Sequence, residues 1–382
     1  MWLIWGNRVR IVASLLALLT ASTVFCPQVS HAAESPGRPL RVAYIEGGPY
    51  INYQRVLVGV AQGLAELGLV KNGNVLLPED TESTAGVWQW LCDNAGGDAI
   101  EFVPDAYYSA DWNNTIFSQK RADLVKRLNA AGDIDLVLAF GTMAGQAMAA
   151  DDHKTPTVVL SVTDAVTAGI IPSPEDSGRD HVFAMIEPNR YYREVVLFHN
   201  IFRFKRLGIA YEDTEQGRAS AALSQIRRAA GELGFDLAEC TDAFNFVEAP
   251  PATKNLIACH ERLARDGTDA VYITVNMGMQ PKAMPEILRP LLERRLPTFS
   301  QHGVDEVKHG VLLSISQVSF SGQGLFAAKV IGNILKGESP RAQKQAYEEP
   351  LSLAINLRTA MSIGWNPPLA VLAAVDEIFQ RR

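Results

Sequence analysis

Cysteine is scarce in this 382-residue chain: there are four, at positions 26, 92, 240 and 259, and none form a C-x-x-C pair. Closely spaced thiolate zinc ligands are therefore absent from the sequence. The seven histidines are scattered, none in an H-E-x-x-H frame, and they are read as surface or loop residues. No metal or cofactor is expected. Catalytic motifs are missing too. No G-x-G-x-x-G follows the first strand-like run, and there is no P-loop. A nucleophile-elbow frame runs from Gly141 to Gly145, but Met143 stands where the nucleophile would sit. No catalytic residue is assigned, and the chain is not read as an enzyme. Positive charge is short, with 35 Lys and Arg against 42 Asp and Glu, a net charge of −7. An acidic chain argues against nucleic acid or an anionic membrane surface as partner. Beyond the first thirty residues, no apolar run approaches the ~20 needed to span a bilayer.

Among the features present, the N-terminus carries a clear local signal. Arg8 and Arg10 precede an apolar run from Ile11 to Phe25, and a short polar stretch ends in Ser30-His-Ala-Ala33. This is the charged, apolar, small-residue order of a secretory signal peptide. Residues 1–32 are read as that peptide, cleaved near Ala32, which places the mature chain in the periplasm. Phe25 before Cys26 argues against lipid attachment there. Cleavage removes Arg8 and Arg10 and no acid, leaving 33 basic residues against 42 acidic, a net charge of −9. The remaining 350 residues exceed one compact domain, so two are expected. Three cysteines remain, and spacing leaves open whether Cys240 and Cys259 bridge a strand end to the following helix.

Strand and helix then alternate in two runs. Strands are expected at 41–45, 100–103, 135–140 and 157–161, then again at 206–211, 235–239, 270–275 and 297–300. Amphipathic helices fall between them, including a single one from Ala219 to Leu233. In the tail, strand-like runs at 311–317 and 351–356 flank a helix at 322–335, and Pro368 to Phe379 is read as a closing helix. Such alternation implies α/β architecture with helices on both faces of parallel sheets. The fold class is two doubly wound parallel-sheet lobes joined by a multi-strand hinge. The N-terminal lobe is assigned residues 38–182 plus about 315–350, and the C-terminal lobe 183–314 plus about 351–382.

Four stretches carry a family resemblance. Thr155-Pro-Thr-Val-Val-Leu-Ser-Val-Thr-Asp-Ala-Val-Thr-Ala-Gly169 is similar to a "P-V-V-F … D-P-V … G" segment, and Phe204-Lys-Arg-Leu-Gly-Ile-Ala-Tyr211 to a "K-R-I-G-V-L-Y" strand. Ala270-Val-Tyr-Ile-Thr-Val-Asn276 resembles a "D-A-I-Y-I-P-T-D-N" strand, and Leu353 to Gly364, with Pro367 and Pro368, a "V-N … A … L-G-I … I-P" tail. In this order, over roughly residues 40 to 380, they resemble the ABC-transporter substrate-binding proteins of the type I periplasmic-binding fold. The likeness is to the branch with tryptophan- and other aromatic-amino-acid-binding members. Ala165-Val166 departs from the usual Asp-Pro, Val275-Asn276 from Asp-Asn, and residues 79–97, with Trp88, Trp90 and Cys92, look like an insertion. The resemblance implies a monomeric receptor that takes a small ligand between its lobes and delivers it to an ABC permease. An extracytoplasmic sensing subunit for a membrane signalling protein would share the fold, and the sequence does not separate the two.

In open parallel α/β lobes a ligand binds beyond the carboxyl ends of the strands. That rule selects Glu46 and Tyr50 in a Gly-Gly-Pro loop, Gly141 and Thr142 at a helix start, Thr163 and Asp164, Glu212 and Glu215, Asn276 and Ser300. Amides at the Gly141-Thr142 helix start suit a carboxylate, and Asp164 suits an ammonium. The excess of acids among these loops points to an amino acid or related amine-bearing compound.

Overall fold

A computed structural model of the chain describes residues 38–76, 83–245, 249–316, 320–348 and 352–380. The signal-peptide reading, with its cleavage near Ala32, and Cys26 lie outside the described residues. The first lobe is built from β1 (Leu40–Glu46), α1 (Ile51–Glu66), α2 (Thr84–Asn94), β2 (Ile100–Tyr108), α3 (Asn114–Ala130), β3 (Leu136–Phe140), α4 (Gly141–Met148), β4 (Thr157–Leu160) and β5 (Val182–Ala184). The second holds α5 (Arg190–Phe202), β6 (Arg206–Tyr211), α6 (Glu215–Ser220), α7 (Leu223–Leu233), β7 (Asp236–Thr241), α8 (Ala249–Arg265), β8 (Ala270–Ile273), α9 (Met284–Glu293), β9 (Thr298–Ser300), α10 (Val304–Lys308) and β10 (Leu313–Ser316). The chain then returns to the first lobe with α11 (Phe320–Leu335). It finishes in the second with β11 (Ser352–Asn356), α12 (Leu357–Ser362), α13 (Leu369–Leu372) and β12 (Val375–Phe379).

The first sheet has strand order β2-β1-β3-β4-β5, and the second β12-β11-β10-β9-β8-β6-β7. Read from β7, the second sheet repeats the order of the first and adds two strands. All neighbours pair in parallel except β10 and β11. These are the two doubly wound lobes expected. The central strands are buried on both faces; every residue of β3 and β4 is buried, which is why they read as continuous apolar runs, whereas the edge strands β7 and β12 expose residues. Pairing with β4 puts Val182–Ala184 in the first sheet, so the first lobe runs slightly past the expected residue 182.

The chain passes between lobes three times: between β5 and α5, between β10 and α11, and between α11 and β11. Helix α11 seats against α1 at very short range. A Cβ on Gly59 would lie 2.4 Å from the Phe320 carbonyl oxygen, and one on Gly324 would lie 2.0 Å from the Gly59 carbonyl carbon. Only glycine at both positions allows this approach, which locks the returning segment to the first lobe.

Several expectations are corrected. The closing helix at 368–379 stops at Leu372, and Val375–Phe379 is a strand that pairs in parallel with β11. The open edge of β11 offers unpaired backbone groups that a local apolar pattern cannot reveal. The helix expected from Ala219 to Leu233 is two, α6 and α7, broken where Ala222 turns left-handed at φ 51°. The apparent insertion contains α2, a core element. Trp88 is 2% exposed, donates to the Val103 carbonyl at 3.1 Å, and meets Tyr44 and Phe102. Nor are the histidines all superficial. His153, His181 and His260 are buried, each with a ring nitrogen on a backbone carbonyl: Met148, Ala150 and Ile287 respectively. Burial lowers the pKa of His260 to about 4, so it is neutral in the core.

Cys240, at the end of β7, is bonded to Cys259 on α8, with Cα atoms 5.7 Å apart, and Cys92 is free. The bond closes a loop of 19 residues. Replacing both cysteines with alanine should lower stability by about 3 kcal/mol, from the loss of loop-closure restraint. Urea unfolding with and without reductant would measure this, and an unchanged midpoint would contradict it.

Candidate functional site

Strand order reverses between β1 and β3 in the first sheet and between β6 and β8 in the second. At such switch points the loops diverge and leave a crevice. A cavity of about 150 Å³ lies between the lobes there, lined by loops of both and by the crossing segments. A cavity of about that volume holds a benzene-sized molecule.

The first lobe supplies an aromatic wall of Tyr50, Tyr53 and Trp112. Trp112 is seated on the Gly-Gly-Pro loop: its amide donates to the Gly47 carbonyl at 2.8 Å and its indole N–H to the Pro49 carbonyl at 3.1 Å. Its backbone is left-handed, φ 63°, as is that of Ser161, φ 56°, which also lines the cavity. Bulky residues held in that region cost about 1–3 kcal/mol each and cluster where function requires them. Thr142 and Met143 open α4 at the cavity wall. The first-turn amides of α4 have no side-chain cap, which leaves them available as donors where Thr142 and Met143 line the cavity. Gly141 turns the chain into α4 at φ 82°, and a Cβ on it would fall 1.8 Å from the Tyr53 phenol oxygen. Tyr53 is 7% exposed, and its hydroxyl has no hydrogen-bond partner among the described residues. Burial, then the Glu46 charge, pushes its pKa well up, so it stays a neutral donor.

The second lobe contributes Gln216 and Ser220 from α6, Asn245, Asn276 after β8, and Gln301 and His302 after β9. At the crossings stand Met185, Glu187, Arg190, Tyr191, Phe320 and Gln323. The lobes also touch around the cavity. Arg55 on α1 meets Asp305 on α10 at 2.5 Å, and Tyr50 stacks on His302 with ring centroids 5.0 Å apart. Burial alone would raise the Asp305 carboxyl, but the Arg55 guanidinium holds it below its usual range.

Of the ten residues selected from sequence, Tyr50, Thr142, Thr163 and Asn276 line the cavity, and Gly141 forms the turn beside it. The other five have different positions. Glu46 is wholly buried beneath the loop and accepts from Tyr44, Thr84, Ser109 and Tyr107 hydroxyls at 2.5, 2.7, 2.8 and 3.0 Å. Asp164 accepts from the Thr167 amide and hydroxyl and from Ser224 of the other lobe at 2.8 Å. Glu212 accepts from the amides of Phe244 and Asn245 at 2.8 and 2.6 Å. Glu215 is exposed at the start of α6. Ser300 is buried, donates to Glu306 at 2.6 Å, and accepts the amides of His302 and Gly303 at 3.0 Å. Asp164 and Ser300 thus satisfy donors of their own loops, whereas Glu46 and Glu212 are taken up by donors from segments packed beside them. The acid excess read from sequence does not face the cavity.

Sequence reasoning passed over Tyr53, Trp112, Glu187, Arg190, Tyr191 and Gln323. Two signals were available. Tyr50 and Tyr53 are three apart at a helix start, and Glu187, Arg190 and Glu194 are charged residues spaced three and four apart across a helix entry.

A family model described as ABC transporter substrate binding protein matches residues 105–378. No curated protein matches the chain. Among solved structures, the ABC domain in complex with L-Trp from Streptococcus pneumonia aligns at TM-score 0.65 and 17% identity, covering 89% of this chain and all of that one (100%). A conserved domain protein from Vibrio cholerae aligns at 0.64 and 19% identity, over 90% of this chain and 99% of the other. The ligand-free, open structure of CD0873, a substrate binding protein with adhesive properties from Clostridium difficile, aligns at 0.60 and 15%, over 90% and 100%. At these identities the likeness is one of fold.

Proposed function

Since this chain belongs to the ABC transporter substrate-binding protein family, we propose that it captures an amino acid or related amine-bearing compound between its lobes and delivers it to a membrane permease. In this reading the mature chain acts in the periplasm as a monomer, without catalytic activity. The observation that carries it is the pairing of the Tyr53 hydroxyl, unpartnered among the described residues, with the uncapped start of α4 in a cavity walled by aromatic rings. The amides and the phenol suit a carboxylate. Tyr50, Tyr53 and Trp112 suit an apolar or aromatic side chain. The Streptococcus relative of this fold was solved with L-Trp, which supports that choice of class.

The test is a thermal melt of the mature chain, unfolded and refolded to strip retained ligand, against amino acids, polyamines, nucleosides, sugars and oxyanions. A ligand at ~100 times its Kd adds roughly 2.7 kcal/mol, or about 4 °C for a chain this long. A shift confined to sugars or oxyanions would defeat the amino-acid reading.

A further inference from the structure

The cavity wall contains one ion cluster whose charges do not balance. Among the described residues, and apart from His302, Glu187 and Arg190 are the lining residues with ionisable acidic or basic side chains. Arg190 is 6% exposed and donates through Nε to Glu194 at 3.0 Å and through a terminal nitrogen to Glu187 at 3.0 Å. One guanidinium therefore faces two carboxylates. Glu194 is complete: one oxygen takes Arg190, and the other takes the Tyr272 hydroxyl at 2.5 Å. Glu187 is different. Its Oε1 accepts both Arg190 and the Gln323 amide at 2.9 Å, while its Oε2 has no partner among the described residues. Glu187 is also the carboxylate of the pair that borders the cavity, with its side chain 20% exposed. The surplus negative charge is thus presented where a ligand would lie. A desolvated charge without a counter-charge is unfavourable, and a cation from solution would relieve it.

We propose that Glu187 is the specificity-determining residue for a positively charged nitrogen on the ligand, received by its free Oε2. This rests on the amino-acid reading above and gives the amine a residue that the strand-end acids do not provide. Glu187 lies in the first crossing between the lobes, and Gln323, which holds its other oxygen, lies in the first turn of α11 after the second. The ligand's cation therefore docks on the hinge itself.

Calorimetric titration of the refolded mature chain would test this with matched pairs: L-tryptophan and indole-3-propionate, L-leucine and 4-methylpentanoate. Putrescine, choline, uridine and ribose complete the set. The expected result is that a nitrogen cation binds and its counterpart without the amine is at least 100-fold weaker. Glu187→Gln keeps a group that can accept from Arg190 and Gln323 but removes the charge, and should weaken the cation at least 30-fold while leaving the counterpart within threefold. Glu187→Asp should recover part of the loss. A neutral or anionic compound that binds as tightly as any cation would overturn the proposal and leave the receptor reading standing. Cation binding unchanged in a folded Glu187→Gln would do the same. Silence toward every cation in the wild type would remove both this proposal and the amino-acid reading. The wild-type comparison needs no variant to fold.

Discussion

Arg190→Met should cost about 3–5 kcal/mol, because it removes one partner of a buried ion cluster and strands the others. Among the described residues Arg190 is the single cation paired with Glu187 and Glu194, and Glu194 is 1% exposed. Burial already raises the Glu194 pKa to about 6, against the opposing pull of Arg190 and the Tyr272 hydroxyl. Without Arg190 it rises further. A carboxyl whose folded pKa lies above its unfolded value loses stability as pH climbs through the folded pKa. The deficit of Arg190→Met should therefore be smaller at pH 5 than at pH 8. Arg190→Met combined with Glu194→Met should recover much of the loss, since well-packed apolar replacements of a buried pair are often neutral. Urea midpoints at the two pH values decide the matter. A single variant within about 1 kcal/mol of wild type would mean that this cluster is solvated rather than buried.

Gly141→Ala should abolish ligand binding, by at least 100-fold, with a smaller loss of stability. The residue sits at φ 82°, where a side chain costs about 1–2 kcal/mol. The added Cβ would fall 1.8 Å from the Tyr53 oxygen, so the phenol must leave the cavity or α4 must shift its first turn. Either displaces the donors assigned to the ligand. Tyr53→Phe removes the hydroxyl without the clash and should lose only about tenfold, the worth of one hydrogen bond. Titration of both variants, with circular dichroism to confirm the fold, separates the effects. Gly141→Ala binding within threefold of wild type would place the ligand away from α4.

Much of the fold was legible because its signals are local. Parallel strands buried on both faces read as near-continuous apolar runs, and β3, β4 and β8 show this without reference to any neighbour. Helix positions followed from spacing in the same way, and the order of the elements implied two lobes. The last segment failed for the converse reason. Val375–Phe379 continues an apolar run compatible with a helix, and only the free edge of β11 makes it a strand.

The site divides along the same line. From the sequence alone, strand ends located the loops around the cleft, and Tyr50, Gly141, Thr142, Thr163 and Asn276 stand at it. Which side chains face the cavity was decided only by tertiary structure. Glu46 and Glu212 are polar residues at strand ends, but each is engaged by donors brought to it by packing, 32, 38 or 63 residues away in sequence. Glu187 follows β5, a three-residue strand that was not among those expected from sequence. It meets Gln323 across 136 residues because two crossings of the chain run side by side. Periodicity reports how a segment partitions between solvent and core, whereas a binding site depends on which polar atoms remain unsatisfied after every other contact has formed.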